Sequence, residues 1–224
     1  MKALAIDSSN NCICFAARND LKFAKLTLDI GMHQSEQLLP SIEHILKLVD
    51  LPAAELEFTA LCSGPGSFTG LRLAYAALKA IELAHNVPVY GINTLAAYAM
   101  PFAGFKGAVV PVIDAKKNRF YAAVYRNGKL NTEPVDAGLE EIVKFLDKEE
   151  NVLAVGQDAD YFAECLRGQY PEISITTISP VKLDATEMLL EAANEMFLKK
   201  EEPLKEYDGP VYIRPSEAEE KLKK

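Results

Sequence analysis

The stretch Gly64-Pro65-Gly66-Ser67-Phe68-Thr69-Gly70-Leu71-Arg72 has the clearest capacity for chemistry in this chain. It joins an apolar run, Phe58 to Cys62, to a long Ala/Leu-rich segment. Its three glycines permit positive φ and close backbone approach. A helix starting behind them offers unpaired N–H groups and the positive end of its dipole, and such a junction can cradle an anion. It matches neither common phosphate loop. No lysine stands where a Walker loop needs Gly-Lys-Ser/Thr, and Thr69 takes the place of a fingerprint glycine. On the motif alone, a tight turn and a loop for a ligand or partner are both compatible.

The other reactive side chains form no recognisable site. His33 and His44 are eleven residues apart, about 16 Å of rise on one helix and too far to share an ion. His85 falls at the end of the next helical stretch, where a cation favours the dipole. Ser67 lies in Gly-Pro-Gly-Ser-Phe rather than a Gly-x-Ser-x-Gly elbow, so Ser67 or Thr69 reads as a helix cap. Cys12 and Cys14 alternate on one strand, but no second pair completes a zinc site. The four cysteines read as reduced thiols in a cytoplasmic protein.

Composition narrows the partners. The chain has 224 residues and a formal charge of −8, so an autonomous nucleic-acid binder is not expected. Lys2 is followed by four apolar residues before Asp7, short of a signal-peptide core. Lys79 and Glu82 interrupt the best candidate for a membrane span, so no membrane association is expected.

The elements that must position these residues read as two α/β units. Strands are predicted over 2–7, 12–18 and 22–28, as an antiparallel meander turning at Asn19-Asp20. A helix follows over 35–49, in which Pro40 implies a later start or a distorted first turn. Then come a strand over 58–62, a helix over 69–85, a strand over 87–92 and a helix over 94–100. Pro101 to Gly107 reads as a hinge. Beyond it, strands are predicted over 108–113, 119–125, 152–155 and 173–178, a turn at Asn127-Gly128, and helices over 139–146, 159–166 and 185–198. The tail after Tyr212 is charged and reads as frayed. Each half opens with an antiparallel strand pair whose first strand ends in aspartate, Asp7 or Asp114. The helix over 69–85 carries Arg72, Tyr75, Lys79 and Glu82 on one narrow stripe and is apolar elsewhere. It is therefore covered on more than one side, by its own domain or by a partner.

The chain resembles the TsaB (YeaZ) family, dimerization subunits of the bacterial machinery that makes threonylcarbamoyladenosine in tRNA. The matching segments are Leu4-Ala5-Ile6-Asp7-Ser8-Ser9, His33-Gln34-Ser35-Glu36-Gln37-Leu38-Leu39-Pro40 and Ser63 through Arg72. Val89 through Leu95, Asp114-Ala115-Lys116-Lys117 and Tyr212-Ile213-Arg214 match as well. The resemblance implies two actin-like lobes, of the sugar kinase and Hsp70 kind, each a mixed sheet with helices. The boundary falls between 103 and 104, the second lobe (104–224) being smaller and degenerate.

The resemblance also implies a function and partners. The chain would support a TsaD-like catalytic subunit, joined by a TsaE-like ATPase, in threonylcarbamoyl transfer to the adenosine next to the anticodon of tRNA. ATP would be used by the complex, with no cofactor in the isolated chain. The catalytic paralogue carries His-Leu-Glu-Gly-His where this chain has Thr94-Leu95-Ala96-Ala97-Tyr98, so both imidazole ligands are replaced and no metal or catalytic residue is expected. Asp7, Ser8 and Ser9 stand where actin-like kinases place a first phosphate loop, here as a vestige. Gly156-Gln157-Asp158 is the nearest counterpart in the second half, with a single glycine. A stand-alone actin-like kinase or ATP-binding protein is the alternative, and a metalloprotease the weaker one. Lys116, Lys117 and Arg119 read as solvated loop charges or as a contact to a partner or tRNA phosphate. The partner interface is expected on two helices, at Leu38, Ile42, Ile45, Leu73, Ala76, Ala77 and Ala80. The same patch would make a homodimer of the isolated chain.

Overall fold

A computed structural model describes residues 1–178 and 184–214. The expectation of a frayed tail falls mostly on 215–224, outside the described residues. Two five-stranded sheets are present. The first contains β1 (Lys2–Asp7), β2 (Ile13–Asn19), β3 (Lys22–Leu28), β4 (Phe58–Gly64) and β5 (Val89–Asn93). The second contains β6 (Ala108–Asp114), β7 (Phe120–Arg126), β8 (Lys129–Ala137), β9 (Val152–Val155) and β10 (Ile175–Thr177).

The two sheets share one topology. The first runs β3-β2-β1-β4-β5 and the second, read from the opposite edge, β8-β7-β6-β9-β10. In each, the opening three strands are an antiparallel meander and the last two join in parallel. This is the duplicated α/β architecture, two units each a mixed sheet with helices, expected from the resemblance. The hairpin between β7 and β8 has the two-residue loop Asn127-Gly128, both at positive φ, which matches the twist of the flanking strands.

The first sheet is covered on both faces. Leu4, Ile6, Ile13 and Phe15 pack with the buried residues of α1 (Gln34–Leu48) and α2 (Phe68–His85). Alternation turns Ala3 and Ala5 to the opposite face, and α6 (Thr186–Leu198) packs on β1, β2, β4 and β5. Phe197 of α6 stacks on Phe58 of β4, with ring centroids 5.4 Å apart. Strands buried on both faces lose polar alternation, as the fully buried β4 does. α1 begins at Gln34 despite Pro40, whose exposed position keeps its ring clear of the core.

α6 sets the boundary between units. The first unit is Met1–Thr94 with Ala185–Val211, and the second is Leu95–Asp184 with Tyr212 onward. This differs from a division at 103/104, because the chain returns to cover the first sheet. α3 (Thr94–Ala99) starts at the crossing point. In the second unit α4 (Leu139–Val143) and α5 (Ala159–Gln169) cover one sheet face, burying Ile142, Phe162 and Leu166 against Val110, Val112 and Phe120.

Candidate functional site

β4 and α2 meet at the glycine corner, and each of its three glycines admits another piece of this chain. Gly64 has φ +115, and a Cβ there would run into the Val211 carbonyl oxygen. A Cβ on Gly66 would lie 2.6 Å from the Ser9 carbonyl oxygen, and one on Gly70 would collide with that of Ser8. Hydrogen bonds close the junction. Ser67 N–H donates to Ser9 O at 2.6 Å, and Ser8 Oγ donates to Gly70 O at 2.7 Å. Ser67 is the cap of α2, its Oγ accepting from Gly70 N–H at 3.2 Å. Ser67 thus caps the first turn of α2, its oxygens accepting from Gly70 N–H and Leu71 N–H, and the loop after β1 packs against that turn at Ser8 and Ser9.

Asp7, Ser8 and Ser9 are all buried. Asp7 Oδ1 accepts from Ser9 N–H at 3.0 Å and from Ser9 Oγ at 2.6 Å. Its Oδ2 accepts from Ala185 N–H at 3.1 Å, across 178 residues of sequence. Ala185 is the N-cap of α6, so the carboxylate sits at the positive end of that helix and fixes it to the sheet. The Cys62 thiol lies in the same cluster, its pKa pushed well above the ordinary value by burial and then by Asp7. An inert thiol and a carboxylate spent on a helix make this corner a structural junction. Sequence reasoning found Asp7 but not its partner, because a backbone N–H has no sequence signature.

The matching corner of the second unit is open. Asp114 Oδ1 accepts from Lys116 N–H at 2.8 Å and Oδ2 from Lys116 Nζ at 2.7 Å. Lys116, Lys117 and Asn118 are exposed and all adopt left-handed φ, at 61°, 57° and 57°. Asp158 accepts from Asp114 N–H at 2.8 Å, and burial raises its pKa. Arg119 and Arg214 both bind Asp136, and Arg214 Nη1 also donates to Ala115 O at 2.9 Å. Of the basic cluster, Lys116 and Arg119 are therefore tied to acids of the same unit. Thr94 and Tyr98, in the place of the paralogue's imidazoles, are fully buried. Among the described residues no cluster of three or more His, Cys, Asp or Glu could hold a metal.

The expected interface residues divide by burial. Leu38, Ile42, Ile45 and Ala77 are buried in the core of the first unit, because their helical spacing aims them at the sheet. They are core rather than surface in this chain. Tyr75, assigned to the polar stripe, is buried too. Leu73 is half-buried, while Ala76 and Ala80 are exposed. Thr69, Leu83 and Ala84 continue the outer face of α2, and Leu39 is exposed on α1. A groove of about 730 Å³ opens between the helices, walled by Leu39, Ile42, Leu46 and Ile81. The outer face of α2 is rich in small residues, with Arg72 exposed one turn before Ala76, and is not needed for its own core.

The family model for TsaD, tRNA N6-adenosine threonylcarbamoyltransferase, matches residues 30–221. The chain belongs to this family, on its TsaB (YeaZ) side. The protein named tRNA threonylcarbamoyladenosine biosynthesis protein TsaB of Bacillus subtilis is 27% identical over 99% of this chain and 97% of its own. The Escherichia coli protein of the same name is 27% identical over 99% and 98%. A solved Pseudomonas aeruginosa structure, described as an uncharacterized protein with similarity to peptidase YeaZ, superposes with a TM-score of 0.78 at 21% identity. It covers 95% of this chain and 99% of its own. That likeness speaks to the fold. No helix among the described residues is long and apolar enough to cross a membrane.

Proposed function

We infer that this TsaB-family chain is a non-catalytic subunit in the biosynthesis of threonylcarbamoyladenosine in tRNA. It pairs with a TsaD-like catalytic subunit, and a TsaE-like ATPase joins them. The observation that carries this reading is the contrast between a filled corner and a bare helix. Asp7, Ser8 and Ser9 spend their polar atoms on Ala185, Gly70 and Ser67, which favours a chain that binds no nucleotide at this corner. The outer face of α2, with Ala76, Ala80 and Leu83, is exposed and suits close packing against a homologous helix. ATP use and most tRNA affinity then belong to the assembled complex, and the chain works in the cytoplasm. Alone, the chain closes the same face on a second copy as an isologous dimer.

Reconstitution tests the reading. The purified chain with tRNA, ATP and the threonylcarbamoyl-adenylate precursor should give no modified adenosine, and addition of TsaD-like and TsaE-like proteins should restore it. Turnover by the chain alone would overturn the inference. Ala76→Glu and Ala80→Glu should weaken pairing by at least ~30-fold, about 2 kcal/mol, while circular dichroism stays unchanged. Normal assembly by both folded variants would remove α2 from the interface.

A further inference from the structure

Residues 201–211 leave α6 and run along the outer edge of the first sheet, where β5 is the last strand. Leu204 N–H donates to Val89 O at 2.8 Å, and Lys79 Nζ donates to Leu204 O at 2.8 Å. The Leu204 side chain packs on the core and fills the space where a Cβ on Gly91 would lie 3.1 Å away. At the far end, Val211 N–H donates to Ser63 O at 2.7 Å, and the Val211 carbonyl occupies the room that Gly64 leaves. Between these points the segment touches little. Residues 205–209 are exposed and turn on themselves through Asp208, which accepts from Lys205 N–H at 2.8 Å. Both flanks are firmly held, α6 by Asp7 and the sheet, Arg214 by Asp136 and Ala115.

We propose that 201–211 is a latch that opens and recloses on the first unit without unfolding it. Two backbone bonds, the Lys79 and Tyr90 side-chain bonds to Leu204 O and Glu201 O, and one half-buried leucine hold the segment on the first unit, and local opening follows the few contacts it must release. The α6 flank, fixed on the first sheet, returns it to the same groove. Closed, the latch blunts the open edge of β5 and clamps Ser63 and Gly64, the residues from which α2 is launched. Open, it bares that edge and frees the glycine corner on its strand side. Two glycines, Gly64 and Gly91, are thereby assigned to the latch rather than to a ligand.

Hydrogen exchange and native-state trypsin digestion of the full chain test the proposal without any partner, so its failure is separable from that of the pairing reading. The Leu204 and Val211 amides should exchange at least ~100-fold faster than Leu61 of β4. Trypsin should cut after Lys205 while the rest of the chain stays folded. Leu204→Ala should speed both processes about tenfold. Gly64→Ala should release Val211 and leave the exchange of Leu61 unchanged; should that variant not fold, Leu204→Ala decides alone. Exchange of Leu204 and Val211 at the rate of Leu61, or a Leu204→Ala variant with unaltered exchange and cleavage, would overturn it.

Discussion

The corner after β1 and the corner after β6 occupy the same place in two sheets of identical order, yet they are built oppositely. The first is dry and crowded: Ser8 and Ser9 lie against Gly70 and Gly66, and Asp7 reaches Ala185. The second is wet and loose: Asp114 caps its own turn through an exposed lysine, and the turn runs through three left-handed residues. One topology therefore carries a strand-end aspartate at both places for different work. In the first unit it clamps a helix from the far end of the chain. In the second it holds only its own loop.

Glycine substitutions break this comparison most sharply. Gly70→Ala should destabilise the first unit by about 3 kcal/mol, because the new Cβ meets the Ser8 carbonyl and neither backbone can yield cheaply. Gly138→Ala, before α4, should change stability by less than ~0.5 kcal/mol, since the nearest atom to its Cβ is 3.9 Å away. Urea denaturation of the two variants measures the difference, and equal costs would mean the first corner has slack.

The aspartates come next. Asp7→Asn keeps one acceptor but turns an amide toward the Ala185 N–H, leaving buried donors face to face. The expected cost is about 2 kcal/mol, with α6 exchanging its amides faster than the sheet. Asp114→Asn loses an exposed ion pair and should cost under ~1 kcal/mol. A larger loss at Asp114 than at Asp7 would reverse the assignment of structural work.

The parts legible in the sequence were those with local signals. The opening meander carries a turn signal predicted at Asn19-Asp20 and found one residue on, at Asp20-Leu21, and β9 is an uninterrupted apolar run, so both emerge within a residue or so of their predicted limits. β8 escaped because it is a mostly exposed strand, Lys129-Leu130-Asn131-Thr132-Glu133-Pro134, with neither alternation nor a proline-free run. The return of α6 to the first sheet escaped for a different reason. Its determinant is a contact between Asp7 and a backbone group 178 residues away, and periodicity encodes which face is buried, not against what. The same limit applied to α1 and α2: an apolar arc predicted burial correctly but could not divide Leu38, Ile42, Ile45 and Ala77 from the truly exposed Ala76 and Ala80.

Acid should reach the second unit through Asp136. Burial pushes its carboxyl up, but hydrogen bonds from Arg214 and Arg119 outweigh this and hold it below its ordinary value. A carboxylate with a depressed native pKa binds protons less readily folded than unfolded. Its contribution is complete above the unfolded value of about 3.9 and is lost as pH falls through the lower native one. Stability against urea should therefore drop below pH ~4 more steeply in the parent than in Asp136→Asn. Parallel profiles would show that the arginines leave Asp136 unperturbed.

The smallest effect tests whether the second corner is strained as well as open. A non-glycine residue in the left-handed region costs roughly 1–2 kcal/mol relative to its relaxed backbone. Glycine avoids that cost but loses about 0.5–1 kcal/mol more conformational entropy on folding. Lys117→Gly, at φ 57, should thus stabilise the chain by about 0.5 kcal/mol, read as a higher urea midpoint at constant slope. Asn118→Gly should gain less, because asparagine tolerates this conformation better than lysine does. Lys117→Ala separates strain from lost side-chain contacts, since it keeps the Cβ and removes the rest. If Lys117→Gly and Lys117→Ala shift the midpoint equally, the turn stores no strain. The two corners would then differ in burial alone.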